Sequence, residues 1–315
     1  MKRIIMGIIG VILLAGVLIT AEYGLSKENI EVYEEAIALQ TELKGIGFDG
    51  FDIADYPMAF YDGEKDYVLT REGGEYTITK RKALVDFIAA TAYPVEDGFE
   101  IHTPTVEKMS SLVGIFGALE GAEYGKNEHI VTLWHEAFHC YQLTNYMPNI
   151  EAFCETAVEE SKITETVDVH EQAVELYKQQ AALLEDAVKC EEIDKIREYI
   201  VQYKELEDKR NQLLEGEIIN LERYYTTVEG SACYVEAKVC KVLEPERFET
   251  DYVNTISDYA NGTAKYYKVG MAQCMILDRI ALILTIIGAL NWGSIGIFNF
   301  DIVAWLCGGP MAVVS

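Results

Sequence analysis

Two histidines and a glutamate within the run Leu133-Trp134-His135-Glu136-Ala137-Phe138-His139-Cys140 carry the strongest chemical signal in this chain. Their spacing is His-Glu-x-x-His, and on an α-helix side chains four positions apart stand one above the other on the same face. Two imidazoles placed in this way can reach one ion. Zn²⁺ takes such ligands in sites that keep a further position open for water. Glu136 lies beside them, placed to take a proton from a water that the metal acidifies. The other histidines, His102, His129 and His170, have no partner at ligand spacing and read as structural or surface residues. Cys140 follows His139 directly, points away from the metal face and reads as a small buried residue.

A zinc site that does chemistry needs a third protein ligand. Downstream, Thr227 to Lys238 reads as a second helix, with Glu229 and Glu236 seven residues apart and so on nearly the same face. The two segments together resemble the glutamate-zincin class of metallopeptidases, in which a helix bearing His-Glu-x-x-His is followed by another that supplies a glutamate, often in a Glu-Gly-x-Ala setting like Glu229 to Ala232. The resemblance implies Zn²⁺ held by His135, His139 and Glu229, Glu136 as general base, and Glu236 as an outer partner or alternative ligand. It covers these two helices only, and 90 positions separate His139 from Glu229, far more than in the large aminopeptidase families. Glu155, Glu159 and Glu160, between them, read as solvated surface charges. Tyr266 and Tyr267, in a helix-like run after Asn261-Gly262, are candidates for placing a hydroxyl on an oxyanion.

The elements that must position these groups follow from pattern. Ser26 to Leu43 predicts an amphipathic helix with a serine cap. Pro57 to Tyr61, Tyr67 to Thr70, Tyr76 to Thr79, Ala83 to Ala92 and Phe99 to His102 are β-type runs, punctuated by Asp62-Gly63 and Gly73-Gly74, and predict a small antiparallel sheet whose edge could hold an extended peptide. Between Pro148 and Gly216 there is no Pro or Gly, and Ile193, Ile196, Ile200, Tyr203 and Leu206 recur at helical spacing. One rod of that length would extend about 100 Å, so a helical hairpin is expected, with breaks near Thr164 to Val169 and Cys190 to Asp194. Folding back would also return Glu229 to the histidine helix.

Composition frames the rest. The chain has 315 residues, and 26 Lys and Arg against 52 Asp and Glu give a net charge of -26, which repels nucleic-acid phosphates; no nucleic-acid partner is expected. Met1-Lys2-Arg3 followed by the uncharged run Ile4 to Ala21 has the form of a signal peptide or signal anchor, with the lysine and arginine left in the cytoplasm. Seven cysteines without Cys-x-x-Cys support no zinc-cysteine site. From Ile280 to Phe298 there are 19 residues without a charge, long enough for a transmembrane helix. Within this tail Leu290-Asn291-Trp292-Gly293, Phe298-Asn299-Phe300-Asp301 and Ala304-Trp305 resemble a family of very short bacterial membrane proteins of unknown function. In that family another apolar helix normally follows, so the tail reads as a fusion or as a join near Leu277-Asp278-Arg279.

The expected organisation is therefore a signal segment at 1–21, a zincin-like metallopeptidase domain at 22–274, with a β-rich part at about 46–103 and a helical part at 104–274, and an apolar membrane tail at 275–315. The expected fold class is α+β, mainly helical, flanked by N- and C-terminal apolar membrane helices that contact lipid. The expected activity is zinc-dependent hydrolysis of a peptide or protein substrate by a domain outside a bacterial cell membrane. The competing expectation is a non-enzymatic membrane protein whose acidic helical ectodomain binds a partner, its zinc site structural or inactive. His135 and His139 lie in a polar-flanked stretch far from either apolar run, which argues against an intramembrane protease.

Overall fold

A computed structural model describes residues 24–43, 48, 50–85, 89–117, 124–154, 161–298 and 303. The predicted signal segment and the acids Glu155, Glu159 and Glu160 lie outside the described residues. The first helix, α1 (Lys27–Glu42), starts where the Ser26 side chain accepts a hydrogen bond from the Asn29 N–H, which satisfies one of the donors a helix start leaves over. Its Ile30, Tyr33 and Ile37 recur at helical spacing and are buried. Asn29 ties it to the chain beyond the sheet. Its amide accepts from the Val106 N–H at 2.9 Å and donates to Glu107 at 2.8 Å.

Five strands follow: β1 (Met58–Tyr61), β2 (Lys65–Glu72), β3 (Glu75–Lys82), β4 (Thr91–Val95) and β5 (Gly98–Pro104), in spatial order β3-β2-β1-β5-β4. The hairpins β2–β3 and β4–β5 are antiparallel, whereas β1 and β5 run parallel, Met58 opposite Ile101. The sheet is thus mixed and not antiparallel. The reason is topological: β5 is reached from β3 by way of β4 on the far side, so it enters beside β1 in the same direction. Among the described residues of the run Ala83 to Ala92, strand begins at Thr91. Met58, Phe60, Leu69 and Ile101 are fully buried on the face toward the helices.

The helices are α2 (Val106–Gly117), α3 (Lys126–Cys154), α4 (Glu171–Lys189), α5 (Ile193–Asn211), α6 (Gly216–Leu243) and α7 (Ala264–Phe298). The expected hairpin is α4 and α5, and its breaks fall at a π-helical stretch, Ile163–Val167, and at Cys190 to Glu192. Trp134 of α3 is wholly buried and donates its indole N–H to the Ala36 carbonyl of α1 at 3.1 Å. Where α6 crosses α7 the two backbones touch: a Cβ on Gly270 would lie 2.7 Å from the Gly230 Cα and would overlap the Thr226 carbonyl oxygen. Only glycine leaves room for that approach.

The hairpin packs on this pair through buried polar groups. Arg210 of α5 forks onto Glu222 of α6 at 2.9 and 2.6 Å, and the Tyr266 hydroxyl of α7 donates to the same carboxylate at 2.6 Å. Asp168, after the π stretch, accepts from Lys265 at 2.8 Å and from the Gly262 N–H at 2.6 Å, fixing the start of α7. Cys140, Cys190, Cys233, Cys240 and Cys274 are free thiols.

The expected flanking membrane helices are corrected here. Among the described residues no helix is long and apolar enough to cross a membrane. Apolar Leu282 and Leu284 of α7 are exposed, but the first part of that helix belongs to the fold: Arg279 donates to the carbonyls of Val188 and Cys190 at 2.8 and 2.7 Å, and Lys238 pairs with Asp278 at 2.6 Å.

Candidate metal centre

Helix α3 presents His135 and His139, and α6 packs beside it with Glu229 turned toward them. One atom of each residue converges on a single point, all three within 4.8 Å of one another. The His135 and His139 Nε2 atoms are 3.0 Å apart, and Glu229 Oε2 is 3.2 Å from His139 Nε2 and 3.5 Å from His135 Nε2. A tetrahedral ion with Zn–N near 2.0 Å and Zn–O near 2.1 Å requires ligand atoms about 3.3 Å apart. The three donors fit zinc in kind and in spacing. The site is not sealed, since the His135, His139 and Glu229 side chains are 12%, 14% and 17% exposed.

The far nitrogens of both rings are held. His135 Nδ1 lies 2.9 Å from Glu236 Oε2, and the other oxygen of Glu236 accepts from the Tyr252 hydroxyl at 2.5 Å. His139 Nδ1 lies 2.7 Å from Gln142 Oε1, whose amide nitrogen donates to the Val228 carbonyl and to Ser231 Oγ, each at 2.9 Å. With Nδ1 of each ring beside an oxygen that can accept from it, loss of the Nε2 proton aims a lone pair at the centre, the arrangement metal-ligating histidines adopt. Glu236 contacts the outward nitrogen of His135 and is not among the three converging donors. It is 14 residues beyond Glu222, with Glu229 midway, so α6 carries three carboxylates on one face at seven-residue intervals.

The electrostatics favour positive charge at this point. Burial disfavours the imidazolium of His135, yet Glu229 and Glu236 outweigh it and raise its pKa to about 10. Burial also opposes ionisation of Glu229, and the two histidines outweigh it and hold the carboxyl far below the ordinary range. Glu136 sits next to the cluster. Burial raises its pKa, against the pull of His135 and His139 and of the nearby Ala92 backbone. Ala92 belongs to β4, one of the two edge strands of the sheet, which among the described residues pairs only with β5. Pro94 in the same strand cannot donate to a ladder, as suits an edge.

The two tyrosines divide. The Tyr267 ring stacks on His135, centroids 6.3 Å apart and planes 14° from parallel. Tyr266 turns the other way, into the Arg210 and Glu222 cluster. His102 is buried 3.1 Å from Asp66, His129 is buried between Thr103 and Tyr124, and the His170 ring accepts from the Ala173 N–H at the start of α4, so all three have structural places.

Gln142, Tyr252 and Ala92 are the groups at the site that the sequence did not single out. Gln142 had a signal, since three residues after His139 it shares that helical face. Tyr252 had none: it stands in a π-helical stretch, Phe248–Val253, that only the tertiary fold brings back to α6.

Comparison with known proteins bears on the tail alone. Residues 275–315 match the family described as Domain of unknown function (DUF378). The same region is similar to the "Uncharacterized membrane protein YuzA" of Bacillus subtilis (strain 168), with 56% identity over 39 residues, which is 12% of this chain and 50% of that protein. The chain thus spans half the length of this curated relative. No solved structure matches.

Proposed function

We propose that this chain is a zinc-dependent metallopeptidase that hydrolyses peptide bonds. The observation that carries the reading is the convergence of His135, His139 and Glu229 at zinc-ligand spacing with the Glu136 carboxylate beside them. His135, His139 and Glu229 would hold Zn²⁺, which would supply Lewis acidity toward a carbonyl and would acidify water. The chain's own residues do the rest. Glu136, beside the two histidines, takes the proton of the attacking water and returns it to the leaving amine. Glu236 and Gln142 hold the two imidazoles in the ligating tautomer. The free side of β4 aligns an extended peptide by strand addition, with its backbone next to Glu136.

The tail's similarity to a protein named as a membrane protein supports membrane association through the C-terminal segment. Lys2 and Arg3 ahead of an apolar run support placing the domain outside the cytoplasm.

Elemental mass spectrometry of the purified chain tests the reading first. About one zinc per chain, lost in His135→Ala, followed by cleavage of members of a peptide library, is the expected result. Zinc without turnover would favour a binding protein with a structural ion, and a folded chain that takes up no zinc would end the metallopeptidase reading.

A further inference from the structure

Ahead of α7 stands Asn261-Gly262, the one Asn-Gly pair in the chain. Asparagine is among the thermally labile residues, and glycine after it leaves the next backbone nitrogen unshielded by any side chain. Gly262 has a φ of +80°, with open space where a Cβ would stand, and Asn261 is exposed. Sterically, the Asn261 carboxamide and the Gly262 nitrogen are free to meet.

The nitrogen is nevertheless held. Its N–H donates to Asp168 Oδ2 at 2.6 Å, while Asp168 Oδ1 accepts from Lys265 at 2.8 Å and from the Tyr259 hydroxyl at 2.5 Å. The Asp168 and Lys265 side chains are 3% and 0% exposed, so this bond is made away from water although the carboxamide lies in it. An amide nitrogen attacks only after it has lost its proton. A carboxylate bonded to the N–H opposes the negative charge that loss creates, and it fixes the plane of the peptide. Burial works against ionisation of Asp168, but Lys265, Tyr259 and the Gly262 N–H outweigh it and keep the carboxyl below its ordinary range, which makes it a poor base for taking that proton.

We propose that Asn261 is a deamidation site that Asp168 keeps shut, and that reacts when the bond to the Gly262 N–H opens. In the reaction the deprotonated Gly262 nitrogen attacks the Asn261 side-chain carbonyl carbon. A carbon–nitrogen bond forms, and the Asn261 amide group leaves as ammonia with the proton that Gly262 gave up. Water then opens the five-membered imide to aspartate or isoaspartate. Either product adds a carboxylate next to Gly262, and isoaspartate also adds a main-chain carbon at the entry to α7, so the bond to Asp168 cannot close as before. The site is independent of the metal reading.

The full chain in detergent is incubated at neutral pH beside a synthetic peptide of residues 258–266, and deamidation at Asn261 is followed by peptide mapping and mass spectrometry. The folded chain should react at least about tenfold more slowly than the peptide, the worth of one charge-assisted hydrogen bond. Asp168→Ala should bring the rate up toward that of the peptide. Asp168→Asn, which keeps the size and one oxygen but loses the charge, serves if the alanine variant fails to fold, and should fall between the two. Unfolding the parent in urea should abolish the protection, and His135→Ala should leave it as in the parent, which separates failure here from failure of the zinc site. Equal rates in folded chain and peptide, or an Asp168 variant that reacts no faster than the parent, would overturn the proposal.

Discussion

Each side chain at the metal centre has a separable duty, and single substitutions should pull the duties apart. Glu136→Gln is expected to lower peptide hydrolysis by at least about 10²-fold while zinc content stays at the parent value, since proton transfer is worth about 10² to 10⁴. Retained turnover would remove Glu136 from its role. Glu236→Ala leaves all three ligands but frees His135 Nδ1, and zinc affinity, followed by competition with a chelator, should fall about 10- to 100-fold. The same scale holds the acid limit of the fold. Burial lowers the pKa of His129 to about 4, against a small opposing pull from Glu107. The unfolded chain, with an ordinary histidine near 6.5, takes up the proton first as pH falls. The contribution of His129 is therefore whole above pH 6.5 and is lost toward pH 4, by about 3 kcal/mol. Denaturant melts of His129→Phe, whose ring suits the stack on Phe60, should lack that limb. His135, Glu136 and His139 were readable from the sequence because one helical turn brings them together. Glu229 was readable only by resemblance, and Tyr252 not at all, because neither owes its position to local spacing.

Elements, rather than residues, set the distance between α3 and α6. Gly230 and Gly270 bring α6 and α7 into backbone contact one residue from Glu229. Gly270→Ala should cost about 1–3 kcal/mol or more by overpacking and should weaken zinc binding as well, measured by melting and by metal titration on the same sample. Glu222→Ala should cost about 3–5 kcal/mol because it strands Arg210 in the interior, whereas the double change Arg210→Met with Glu222→Leu should recover most of it. The hairpin of α4 and α5 was legible because apolar residues recur at helical spacing where no Pro or Gly intervenes. The parallel β1–β5 pairing was not, since alternation along a strand reports which face is buried and says nothing about which strand lies alongside.

At the scale of the whole molecule, residues 275–279 lie at once in the stretch that matches the tail family and in the packed domain. Met275 and Ile276 are buried, and Asp278 and Arg279 bond to α6 and to the end of α4, whereas Leu282 and Leu284 face outward. A chain ending after Ala281 should keep its melting temperature and its zinc, and one ending after Cys274 should lose several degrees, as scanning calorimetry would record. The close crossing of α6 over α7 also changes how such a centre is to be found in other genomes. Glu229 is followed at once by a glycine that tolerates no side chain, and 40 positions later stands the glycine it touches. A search pattern that joins His-Glu-x-x-His to Glu-Gly and then to that distant glycine encodes a three-helix geometry, and it should separate chains able to close this ligand set from those that share only the histidine turn.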